Sequence, residues 1–282
     1  MKSLAAAVLV LLAAAGAALA GTTEQRPSFV ASSYGRIALL NGAGGAIERF
    51  GPGESPAFSA DGKRIAFVRA GDVWVQNTDG SGLRRITQTA APEESPDWSP
   101  DGTLVYASRR GGSFELWLQR PGGTARRLTK VAEAWQEDRS PSWSPDGRSI
   151  AFSSTRAGFF NAELYLVRAD GTGLRRLTRT PGSENVLGDD GMPSWRPDGR
   201  GLVFVSNRNR NFELYALDLR SGGATRLTRT PQDEMLPRVT RDGRYVFVVP
   251  VGTDGAARLS IANAELKGRR VLQAGTAIDP LP

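Results

Sequence analysis

Ser140-Pro141-Ser142-Trp143-Ser144-Pro145-Asp146-Gly147 is the stretch that decides the fold. Proline at 145 presets the first turn position and glycine at 147 accepts a positive φ, so Pro-Asp-Gly closes a tight turn. Residues 150–152 and 163–166 follow as β-branched and aromatic runs, then an Asp170-Gly171 hairpin turn and a basic run at 175–178. With Pro-x-Trp as the first strand, the unit is a four-stranded antiparallel meander.

The same phrase recurs at residues 55–62, 95–102, 192–199 and 236–243, and its Asp-Gly pair steps by 40, 45, 52 and 44 residues. A strand follows each copy, at 65–68, 104–107, 202–205 and 245–249. Third strands at 73–75, 115–118 and 213–217 lead through Asp79-Gly80, Gly122-Gly123 and Gly222-Gly223 to basic fourth strands at 84–87, 126–129 and 225–228. A four-stranded unit repeated at this period is one blade of a β-propeller. Residues 28–32, 36–40 and 46–50 read as strands two, three and four of a blade lacking its first, which Asp279-Pro280-Leu281 is expected to supply. The expected fold is therefore all-β, a six-bladed β-propeller whose closed ring hides its sheet edges. Phe58, Trp98, Trp143 and Trp195 read as wedges facing the neighbouring blade.

The 282-residue chain contains no cysteine and no histidine, which excludes a disulfide framework, a thiolate nucleophile, a Ser-His-Asp triad and His- or Cys-ligated metals. Lys2 followed by an apolar run from Leu4 to Ala20, closing on Ala18-Leu19-Ala20, reads as a secretory signal over residues 1–20. Its removal takes Lys2 with it and lowers the net charge from +7 to +6. A short linker at 21–27 and a propeller at 28–282 complete the expected organisation, in a monomer exported to a periplasm or the extracellular space without stable membrane insertion.

The repeats resemble those of the TolB family. The pattern Ser-Pro-x-Trp-Ser-Pro-Asp-Gly, a short apolar strand and an aliphatic-Tyr strand is matched best at 140–178. The resemblance covers the propeller portion, about residues 28–282, without the domain that TolB carries in front of it. It implies a propeller that binds protein partners in the cell envelope.

In a meander blade the second-to-third-strand loops and the blade-to-blade loops emerge on one face, where variable loops on a rigid frame carry function. Acids precede the leading proline at nearly every junction: Glu54, Glu93-Glu94, Glu137-Asp138, Asp189-Asp190 with Glu184 upstream, and Asp233-Glu234. Because the first strand lines the channel, these acids are expected to ring one mouth with negative charge. Arg109-Arg110, Arg156 with Phe159-Phe160, Arg208, Arg210 and the off-pattern Trp135 belong to the same face. The expected partner-binding set is Glu94, Trp135, Glu137, Asp138, Glu184, Asp189, Asp190, Asp233, Glu234, Arg110, Arg156, Phe160, Arg208 and Arg210. The expected ligand is a protein or peptide, with no cofactor. The alternatives are calcium at the mouth, a carbohydrate or anionic polymer on the arginine rim, and a carboxylate-based glycan-acting enzyme. The arginine pairs of the fourth strands read as edge protection rather than a nucleic-acid surface.

Overall fold

The computed structural model describes residues 29–33, 35–41, 46–158, 161–180, 189–250, 257–263 and 265–273. The signal at 1–20, the linker and the closing strand at 279–281 lie outside the described residues.

Six antiparallel sheets follow one another along the chain. Blade I has three strands, β1 (Phe29–Ser33), β2 (Arg36–Leu40) and β3 (Ala46–Pro52). Blade II holds β4 (Glu54–Phe58), β5 (Arg64–Arg69), β6 (Asp72–Asn77) and β7 (Arg84–Arg85); blade III holds β8 (Glu93–Trp98), β9 (Leu104–Ser108), β10 (Glu115–Gln119) and β11 (Ala125–Arg127). Blade IV holds β12 (Asp138–Trp143), β13 (Ser149–Ser154), β14 (Glu163–Arg168) and β15 (Arg175–Arg176). Blade V holds β16 (Asp190–Trp195), β17 (Gly201–Asn209), β18 (Asn211–Asp218) and β19 (Ala224–Arg226), and blade VI holds β20 (Met235–Val239), β21 (Tyr245–Pro250), β22 (Ala257–Ala262) and β23 (Arg270–Gln273). Strands β1 and β2 meet β4 as β5 and β6 meet β8, which makes them the second and third strands of blade I.

The core is not one body but six, each shared by two adjacent sheets. Phe29, Ala31, Ala38 and Leu40 pack with Val246, Val248, Leu259 and Ile261, joining blade I to blade VI and closing the ring. Equivalent clusters join every other pair of neighbours. Second strands such as β9 are buried along their whole length because a blade covers each face, and this is why they read as unbroken apolar runs.

Two local devices recur. In the first-to-second-strand turn of each four-stranded blade, the glycine N–H donates to the carbonyl three residues back, as from Gly147 to Ser144 at 2.9 Å, with Gly147 at φ 69°. The Ser144 hydroxyl donates to Asp146 at 2.6 Å, which holds that carboxyl below its ordinary range. The second device is the aromatic wedge: the indole Nε1 of Trp98 donates to the Ala57 carbonyl of the preceding blade at 3.2 Å, and that of Trp195 to Ser142 at 3.0 Å. Among the described residues no helix is long and apolar enough to cross a membrane.

Candidate recognition site at the channel mouth

The innermost strands β4, β8, β12, β16 and β20 meet one another around the axis. Each carries a bulge at its proline, and the residue before that proline takes a left-handed conformation: Ser55, Ser95, Ser140, Met192 and Leu236 have φ of 49°, 52°, 49°, 52° and 52°. The bulge re-aims the strand between its upper part, which meets the loops, and its lower part, which lines the channel.

Side chains alternate along a strand, so two adjacent acids cannot serve the same surface. The residue three before the proline turns inward between strands. Glu93, Asp138, Asp190 and Glu234 sit there with their side chains 0% exposed. Each is paired: Glu93 with Arg110 at 2.6 Å, Asp138 with Arg156 at 2.5 Å, Asp190 with Arg208 at 2.8 Å and Glu234 with Arg269 at 3.2 Å. The arginines in turn stack on aromatic faces, Arg110 at 4.5 Å from the Trp117 centroid and Arg208 at 4.7 Å from that of Tyr215. Burial pushes the Glu234 carboxyl up, against the pull of Arg269.

The expectation of an exposed acidic ring is corrected at these positions. Asp138, Asp190 and Glu234 lie beneath the mouth with Arg156, Arg208 and Arg269 as their counter-ions, and Arg110 is the counter-ion of Glu93. The physical reason is the cost of leaving a buried carboxylate unpaired. Blade II shows the same rule by lacking both partners. Gly53 stands where the acid would be, with Ile37 and Phe67 filling its space, and Gly71 stands where the arginine would be.

A second buried acid in each of blades II to V went unread in the sequence. Asp72, Glu115 and Glu163 begin their third strands, Glu213 lies two residues into its own, and each pairs with the arginine two residues before the threonine of its basic run, at 2.5 Å for Arg85, 3.3 Å for Arg127, 2.7 Å for Arg176 and 2.7 Å for Arg226. The threonine two residues after that arginine accepts the next backbone N–H, as Thr178 Oγ1 does from Leu164 at 3.0 Å. The Arg-aliphatic-Thr repeat was the signal: these arginines anchor the edge strand rather than shield it.

What remains open at the mouth is a mixed-charge chain between blades III and IV. Arg139 donates to Glu94 at 2.5 Å and to Glu137 at 2.8 Å, and Glu137 meets Arg109 at 3.3 Å. The Arg139 guanidinium also lies 3.8 Å from the Phe114 centroid. Trp135 stands nearby in the connecting loop, 40% exposed. Arg139 occupies the register that Glu94 holds in blade III, and only comparison of the two repeats at that position would have found it. Asp189 is half-buried, accepts from the Ala162 N–H at 3.1 Å, and is raised by burial and by Asp190. Asp233 is exposed and accepts from the Phe212 N–H at 2.8 Å. Arg210 is exposed on the tight turn between β17 and β18 at φ 91°. Glu184 and Phe160 lie outside the described residues. Among the described residues, no three acids gather closely enough to hold a metal ion.

Below the mouth, the residue between proline and the wedge aromatic faces the channel. Asp97 of blade III and Arg238 of blade VI act on each other across the ring, and burial pushes the Asp97 carboxyl up to about 6. Asp97 Oδ2 also accepts from the Trp143 N–H of the next blade at 2.8 Å.

Comparison with known proteins agrees with this architecture. The family model for the TolB beta propeller domain matches residues 123–280, more than half of the chain. The Tol-Pal system protein TolB of Bordetella pertussis is 33% identical over 167 residues, 57% of this chain and 36% of that protein. An uncharacterised protein of Agrobacterium fabrum is 28% identical over 169 residues, covering 58% of this chain and 53% of its own. The chain thus spans about half or less of the length of these curated relatives. Among solved structures, TolB from Acinetobacter baumannii superposes with a TM-score of 0.67 at 21% identity, covering 94% of this chain and 63% of that one. With its propeller built from the repeats that the family model describes, the chain belongs to the TolB beta propeller domain family.

Proposed function

We propose that this protein is an exported, non-catalytic propeller that binds a protein or peptide partner in a cell-envelope complex, through the mouth between blades III and IV. The observation that carries the reading is the chain Arg109–Glu137–Arg139–Glu94 beside the exposed indole of Trp135. Aromatic and arginine side chains at the rim of a rigid cavity are the groups that dominate protein recognition. Relatives named for the Tol-Pal system support the envelope setting, and the A-x-A signal supports export. The absence of histidine and cysteine supports a binding rather than a catalytic role.

The test uses the exposed charges and spares the buried pairs. Photo-crosslinking from position 135 in envelope extract is expected to give a discrete adduct, and Glu94→Lys with Glu137→Lys is expected to abolish it while circular dichroism stays unchanged. An adduct of equal yield in the charge-reversed protein would reject the mouth as the binding site.

A further inference from the structure

On the opposite face, where the Asp-Gly turns emerge, a groove of about 230 Å³ opens between blades II and III. Arg64, Arg84 and Arg120 line it over a floor of Ile86, Trp98 and Leu104. Arg85 also lines it, but its guanidinium is committed to Asp72 at 2.5 Å. No carboxylate contributes to the lining. The carboxylates that feel Arg64 and Arg120 are Asp61 and Asp101, and each is held in its own turn by the hydroxyl of Ser59 or Ser99. Among the described residues Arg64, Arg84 and Arg120 make no ion pair within 4.0 Å.

The other junctions show that this is not a general property of the repeat. Arg64 directly precedes the residue that pairs with the wedge aromatic, and in the next three blades that place is taken by Thr103, Ser149 and Gly201. In blade VI it is Arg244, whose Nε donates to Asp242 at 2.8 Å. Between blades III and IV, Arg126 stands in the place of Arg84 and crosses the junction to donate to the Ala169 carbonyl at 2.7 Å. At the II–III junction, by contrast, the Arg64 guanidinium lies 4.8 Å above the Trp98 centroid, at the back of the groove.

We propose that this groove is an anion site for a phosphate group carrying a small organic substituent. Three guanidinium forks around one opening match a tetrahedral anion of charge near two better than a single carboxylate, because each fork donates two parallel N–H bonds. The substituent lies against Ile86 and Leu104. The phosphate belongs either to a soluble phosphomonoester or to a lipid headgroup, and the chemistry at the arginines is the same for both. The site is separate from the mouth, so its failure leaves the recognition surface untouched and the reverse also holds.

Trp98 provides the reporter, its indole N–H resonance being assigned by its loss in Trp98→Phe. Inorganic phosphate or glycerol 3-phosphate, titrated against chloride at constant ionic strength, is expected to shift the Trp98 indole saturably and leave that of Trp195 in place. Arg64→Ser and Arg120→Ala are each expected to weaken binding about tenfold, read by the same shift and by calorimetry, because each removes one charge-assisted fork. Arg126→Ala is expected to change nothing. Vesicles of phosphatidylcholine with and without phosphatidic acid separate the two sources: sedimentation with the acidic vesicles that Arg64→Ser abolishes assigns a headgroup, and soluble binding alone assigns a free phosphomonoester. A linear, non-saturating shift, an equal response to chloride, or an affinity unchanged by both arginine substitutions would overturn the proposal.

Discussion

At Asp138 a single carboxylate shows how this chain manages charge in its interior. Its two oxygens accept from Arg156 NH2 at 2.7 and 2.5 Å, and the Arg156 guanidinium lies over Phe152 and Tyr165. Removing one partner strands the other in a site that water barely reaches, and that is costlier than removing both. Arg156→Ala, which strands the fully buried Asp138 carboxylate, is expected to destabilise the protein by about 3 kcal/mol in urea unfolding, and Asp138→Ala by less because the arginine it leaves behind is partly solvated. In the double variant the losses are expected to fall short of additivity by about 1–3 kcal/mol. A fully additive double variant would mean that the pair does not interact. Acids before the prolines were legible in the sequence. Which of two neighbours turns inward was not, because that depends on the register of a bulge.

The element that sets this register is the innermost strand. In all five described copies the residue before the proline has a left-handed backbone whether it is serine, methionine or leucine, so the repeat and not the side chain imposes the conformation. An L-residue there carries a cost of about 1 kcal/mol, and glycine escapes most of it. Ser140→Gly is therefore expected to raise stability by about 0.5–1 kcal/mol, and Ser140→Val to lower it, with the urea midpoint as the measure. A destabilised glycine variant would show that the serine side chain itself matters. The strands, their order and the Asp-Gly turns were readable from β-branched and aromatic runs and turn chemistry. The bulge was not, because Ser-Pro in an extended run looks the same with or without an extra residue.

For the molecule as a whole, closure brings together groups that the sequence holds far apart. Asp97 and Arg238 belong to opposite blades and meet only because the ring closes, and the channel keeps the Asp97 carboxyl near 6 against an unfolded value of about 3.9. The native state thus takes up this proton at a higher pH than the unfolded chain does, so Asp97 makes stability fall as pH rises from about 4 to about 6 and adds no further slope above that. The turn carboxyls of Asp61, Asp101 and Asp146 are lowered instead, and their stabilisation is lost only at pH values below this window. Asp97→Asn is expected to flatten the decline between pH 4 and 6, measured as the difference in urea midpoint between variant and parent; an unchanged pH profile would place Asp97 in water. The sequence by itself determined the fold and the family, because blade strands and turns are written in local patterns that repeat. Of the open charge chain at the mouth it pointed to Glu94, Glu137, Arg109 and the neighbouring Trp135, but not to Arg139. Only the tertiary structure decided that four of the acids there are neutralised beneath it, that Arg139 joins Glu94 to Glu137, and that three arginines from two blades are left facing one groove. Those outcomes turn on which side chains from different repeats come within a few ångströms of one another, and spacing along a chain does not encode that.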